Sequence, residues 1–90
     1  MNDRNKYIQK CILEAIYEEL DKRNIPREDC LKYLLANTII KEARLKNILS
    51  GTNKRPITLK ELTGFAIAFN LNTGYLLRNI NMVEIKHSIH

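Results

Sequence analysis

Apolar residues return every three or four positions along most of this chain, and local breaks cut that period into short segments. Ile8, Ile12, Ala15, Ile16 and Leu20 recur at these spacings, with Leu13 and Tyr17 widening the stripe. The spacing predicts a first amphipathic helix from Asn5 to about Arg23. Asn24-Ile25-Pro26 ends it, because proline disfavours helical geometry in the residue before it. Pro26 suits the first turn of a second helix, with Glu28 and Asp29 near its positive end. That helix turns Cys30, Leu31, Leu34 and Leu35 inward and stops around Ala36-Asn37. Thr38 to Ile40 form a junction. A third helix over Lys41 to Ser50 presents Leu45, Ile48 and Leu49 to the core, and Gly51 stands where a left-handed cap is expected.

Thr52 to Thr58 reads as a polar, basic loop. Thr58 and Glu61, three residues apart, form a capping box for a fourth helix whose inner stripe is Leu59, Leu62, Phe65, Ala66 and Phe69. Asn70 breaks that helix, Leu71 points back inward, and Asn72 caps a short fifth helix through Leu77. Residues 1–79 therefore read as one all-α domain of five helices. In the tail, residues 80–90, the period changes: Val83, Ile85 and Ile89 alternate with polar residues, the repeat of a short C-terminal strand.

Ninety residues support one hydrophobic core and no second domain. The longest apolar run, Phe65 to Phe69, falls far short of the ~20 residues of a membrane span. Near the N-terminus only Cys11-Ile12-Leu13 is apolar, too little for a signal-peptide core, so a cytoplasmic location is expected. Cys11 and Cys30 make no CxxC pair and no disulfide framework, and both fall on inward faces. His87 and His90 lack a third ligand, and Gly51-Thr52-Asn53-Lys54 lacks the spacing of a phosphate-binding loop. No nucleophile stands beside a base, so no enzyme, cofactor or small-molecule ligand is expected.

The net charge of +5 is unevenly placed. Residues 1–40 carry as many acids as bases, as do residues 61–90. Residues 41–60 hold Lys41, Arg44, Lys46, Lys54, Arg55 and Lys60 against Glu42 alone, so the whole excess sits in this window. A localised positive stripe is the footprint of a surface that binds a polyanion, because counterions released from the polyanion drive association.

Two helices joined by a short turn, a Gly-capped end and a basic loop suggest a helix-turn-helix. The stretch Lys41-Glu42-Ala43-Arg44-Leu45-Lys46-Asn47-Ile48-Leu49-Ser50-Gly51 resembles the third helix of the phage-repressor and Cro-like (XRE) family. Asn53-Lys54-Arg55-Pro56, Thr58-Leu59-Lys60-Glu61-Leu62, Phe65-Ala66 and Phe69-Asn70-Leu71-Asn72 resemble its loop, fourth helix and exit turn, and Tyr75-Leu76-Leu77 its closing aromatic-Leu-Leu. The resemblance covers roughly residues 10–78. It implies a lambda-repressor-like domain that regulates transcription by binding duplex DNA, with residues 41–50 as the recognition helix.

On a helical wheel Ile48 and Leu49 lie within about 60° of Leu45, while Ala43 and Asn47 point almost opposite, with Arg44 and Lys46 on the flanks. The resemblance places base reading on Glu42, Ala43, Arg44, Lys46 and Asn47. Asn pairs bidentately with adenine, Arg with guanine, and a small Ala admits a thymine methyl. Lys41, Thr52, Asn53, Lys54 and Arg55 are the expected phosphate contacts. A single inserted helix reads few base pairs, so a homodimer on a palindromic site is expected, paired through the tail with help from Tyr75 and Leu76. The alternative is a helix-turn-helix module that binds a protein and not DNA. Two departures from the family favour it: Lys41 replaces the small polar cap, and no Gln opens the second helix.

Overall fold

The computed structural model describes residues 1–81. The strand expected over Val83, Ile85 and Ile89, and the pair His87 and His90, lie outside the described residues. Among the described residues the chain is all-α: α1 (Asp3–Lys22), α2 (Cys30–Asn37), α3 (Glu42–Ser50) and α4 (Leu59–Ala68). Two 3-10 segments, Arg27–Asp29 and Thr73–Leu77, complete it. The second replaces the expected fifth α-helix, and Asn72 makes no side-chain capping bond there. The first replaces the opening turn expected at Pro26, so α2 begins only at Cys30. No helix among the described residues is long and apolar enough to cross a membrane.

The helix ends follow from individual residues. Asn2 Oδ1 accepts the Asn5 N–H at 2.8 Å and starts α1 two residues earlier than its apolar period shows. Asn24, Gly51 and Asn70 all take left-handed backbone, with φ of 56°, 74° and 57°. In each case the following residue donates its N–H five positions back: Ile25 to Leu20, Thr52 to Asn47, and Leu71 to Ala66. This is the Schellman pattern, and it covers carbonyls that a helix end leaves open. Asn24 and not Pro26 therefore terminates α1, a correction to the proline argument. The capping box of α4 forms as expected, with Glu61 N–H on Thr58 Oγ1 at 3.1 Å and Thr58 N–H on Glu61 Oε1 at 2.9 Å.

The core joins Ile12, Ile16 and Leu20 of α1 to Leu34, Leu45, Ile48, Phe65, Phe69 and Leu76. Cys11 and Cys30 are buried free thiols, as expected. Two tyrosines tie the helices together at their ends. Tyr17 Oη donates to the Leu49 carbonyl at 2.8 Å, and Tyr33 Oη to the Ala68 carbonyl at 2.9 Å, each in the last turn of its helix. Leu59 corrects the expected inner stripe of α4: it is 73% exposed. As the first residue of the helix it projects toward the N-terminal end, beyond the edge of the core.

One buried charge has no counterpart in the apolar pattern. Glu19 is 2% exposed. Its carboxylate accepts from Lys22 at 3.1 Å, Arg23 at 2.9 Å and Arg78 at 2.8 Å. Burial pushes its pKa up, but the hydrogen bonds from Arg23 and Lys22, with the charges of Lys22 and Arg78, outweigh that and hold it below the ordinary value. Arg78 thereby fastens the last 3-10 segment to α1.

Gly51 offers the cleanest test of the local reading. A Cβ there would meet only Leu13 Cδ2 at 4.0 Å, so space is available and the cost of a side chain lies in the backbone. Gly51→Ala is expected to lower stability by about 1 kcal/mol, and Gly51→Asn by less, because Asn tolerates left-handed geometry. Urea denaturation followed by circular dichroism measures both.

Candidate functional site

Helix α3 turns Leu45 and Ile48 fully into the core and half-buries Leu49. That orientation leaves Glu42, Ala43, Lys46 and Asn47 exposed. Lys46 and Glu42 form an i,i+4 pair at 3.6 Å in the open, a contact worth little and readily exchanged. Asn47 sits where the Gly51 cap folds back. Its backbone carbonyl accepts from Thr52 N–H at 2.9 Å, and its side-chain oxygen has Thr52 Oγ1 at 3.4 Å. Thr52 in turn lies 2.8 Å from Ser50 Oγ. The outer face of the helix is thus a small Ala beside polar side chains, held by a rigid C-terminal turn.

Arg44 departs from the expectation. Its Nε and Nη2 grip Glu61 Oε2 and Oε1 at 2.8 and 2.9 Å, while Nη1 and Nη2 also donate to the carbonyls of Arg55 and Pro56 at 3.1 and 2.9 Å. The flank position is as the wheel gives it, but the guanidinium is spent on joining α3, the loop and the start of α4. It is not a free group on the outer face. The hydrogen bond from Arg44 pulls the Glu61 pKa down to about 2 against opposing burial, helped by the Thr58 N–H. The same hydrogen bond raises the Arg44 pKa.

Asn53 is likewise partly committed. Its amide donates to the Arg55 carbonyl at 2.9 Å and approaches Gln9 Oε1 at 3.5 Å. Gln9 also accepts the Ile57 N–H at 2.7 Å. Gln9 is thus a residue that sequence reasoning missed. A single Gln on an amphipathic helix carries no local sign that it anchors a loop almost fifty residues away.

Lys41, Lys54 and Arg55 are exposed, with no acidic partner among the described residues. Lys41 and Arg55 line one cleft of about 270 Å³ together with Lys60, so the fold gathers these three cations beside the N-terminal end of α3. The result is a polar helix face with positive charge at its border. No family model, curated protein or solved structure matches this chain.

The Arg44–Glu61 pair makes a pH prediction. A carboxylate whose folded pKa is about 2 against an ordinary 4.5 contributes stability that is full above the higher value and is lost as pH falls toward the lower. Glu19, also lowered, acts with the same sign. Glu61→Gln is expected to cost about 1–3 kcal/mol at neutral pH and to flatten, without abolishing, the acid-side decline. Thermal melts across that acid range check it.

Proposed function

We propose that this chain is a sequence-specific DNA-binding transcriptional regulator of prokaryotic or phage type, acting in the cytoplasm. In this reading it is a lambda-repressor-like helix-turn-helix domain, with α2 and α3 as the motif and α3 in the major groove. The observation that carries the reading is the outer face of α3, where Ala43, Lys46 and Asn47 stand exposed beside the unpaired cations Lys41, Lys54 and Arg55. Asn47 pairs with adenine, Ala43 permits close approach to a thymine methyl, and Lys46 and Glu42 exchange their weak mutual contact for base edges. Lys41, Thr52, Lys54 and Arg55 hold phosphates, which set the register. Arg44 and Asn53 leave the contact set, because both are engaged in shaping the loop.

Binding-site selection on random duplex DNA, followed by anisotropy titrations at several salt concentrations, tests this. Each phosphate contact is expected to steepen log K against log salt by about 0.9. Lys54→Ala and Arg55→Ala should weaken all sequences alike, whereas Asn47→Ala should relax one base position by about 1–3 kcal/mol. Salt-independent affinity would overturn the proposal.

A protein-binding module is the second reading, and one observation favours it. Ile39, Leu59 and Ile67 are 84%, 73% and 71% exposed and line a single open cleft of about 850 Å³ between the α2–α3 junction and α4. Absence of any selected duplex would shift the reading to this surface.

The regulator is proposed to work as a homodimer. Leu76 contributes nothing to its interface, being fully buried, whereas Tyr75 is exposed. Light scattering of the full chain and of a chain ending at Asn81 separates the possibilities. Twice the monomer mass for the full chain and a monomer for the shortened one is the expected pair of results; a monomeric full chain would exclude a dimer formed without DNA.

A further inference from the structure

The charge excess was located in residues 41–60, yet the fold brings two further cations to the same surface from α1. Helix α1 runs along the C-terminal end of α3 and the loop beyond it, touching them at successive turns. Tyr17 bonds the Leu49 carbonyl at 2.8 Å, Leu13 faces Gly51, and Gln9 receives the Ile57 N–H at 2.7 Å. Lys6, one turn before Gln9, and Lys10, the residue after it, flank that contact. They line a cleft of about 350 Å³ together with Gly51, Asn53 and Ile57. Both lysines are exposed, and neither ammonium group has an ion pair or hydrogen bond among the described residues.

The acids that balance these lysines in the sequence lie elsewhere in space or fail to reach them. Glu18 and Glu19 are tied to Arg78, Lys22 and Arg23 at the opposite end of α1. Asp3 and Glu14, each about one turn from a lysine, form no salt bridge with either. Positive charge therefore borders α3 at both ends: Lys41, Arg55 and Lys60 at its N-terminus, and Lys6 and Lys10 beside its C-terminal turn.

We propose that Lys6 and Lys10 form a second phosphate-binding surface, which holds the DNA backbone passing the C-terminal end of α3. This rests on the DNA-binding reading above and enlarges its contact surface beyond residues 41–55. The surface recognises phosphate alone, since two flexible ammonium groups on one helix face carry no base-edge pattern.

The test uses the full chain and a fluorescent duplex carrying the selected site. Affinity is measured from about 50 to 200 mM salt, the range over which phosphate contacts are felt most. Lys6→Ala with Lys10→Ala should reduce the slope of log K against log salt by about 0.9 per lysine while leaving the selected sequence unchanged. Lys22→Ala, an exposed lysine paired with Glu19 at the opposite end of α1, should leave the slope as it was. An unchanged slope in the double variant, beside steep wild-type binding, overturns this inference and leaves the regulator reading intact. An equal loss of slope in Lys22→Ala overturns it too, because the effect would then come from net charge. A wild-type protein that binds no duplex overturns the regulator reading and this inference together.

Discussion

Glu61 is the point on which the geometry of the exposed surface turns. Its carboxylate closes the capping box with the Thr58 N–H and receives both arms of the Arg44 guanidinium. One side chain therefore fixes where α4 begins and how α3 lies against it. Arg44, held on that anchor, reaches back to the Arg55 and Pro56 carbonyls and draws the intervening loop into shape. A bidentate pair of this kind is directional as well as attractive, so it specifies an arrangement and not merely a contact. Without it, the Arg55 and Pro56 carbonyls would have to find water or other donors and the Thr58 N–H another acceptor, and the cations of the loop would lose their common placement.

The consequence for recognition is a division of labour among polar groups that look alike in sequence. Arg44, Asn53 and Gln9 are consumed by structure; Lys41, Asn47, Lys54 and Arg55 present polar groups to the outside. A surface that must match another rigid surface gains from this arrangement, because the ordering cost of the loop is met during folding and not at binding. The Schellman turn at Gly51 serves the same end. It stops α3 at a defined residue and sets Thr52 against Asn47, so the side chain at the centre of the outer face is oriented by the helix end itself.

Legibility in the sequence tracks the range of the interaction. Gly51, Asn70 and the Thr58–Glu61 box were readable because each acts within about five residues, and the inward faces of α1 and α3 because their period is local. Leu59 was misread: α4 carries apolar residues on two sides, with Ile67 also in solvent, and a wheel alone does not say which stripe meets the core. Asn24 stands in the helix-ending triplet, but the proline is its louder signal, and the left-handed turn at Asn24 is what ends α1. Nothing in the apolar pattern marks Glu19 as buried, and Arg44 reads as a surface charge, since their partners Arg78 and Glu61 stand 59 and 17 residues away. Nothing in a window of sequence carries that information.

Net charge by window fails for the same reason, because it adds neighbours in sequence and not in space. A field at the surface sums all charges within about a Debye length in space, whatever their separation in sequence. The acids of α1 are concentrated toward its C-terminal end, where Glu18 and Glu19 are compensated by Lys22, Arg23 and Arg78. Pairing of this kind cancels charge at that end, whereas at the other end Arg4, Lys6 and Lys10 outnumber Asp3 and Glu14. A helix with one more acid than base thus presents a positive end to the loop of α3 and an ionic cluster to the last 3-10 segment. The buried cluster and the exposed lysines are therefore two results of one distribution: the acids of α1 gather where Arg23 and Arg78 meet them, and its N-terminal cations stand beside the loop that follows α3.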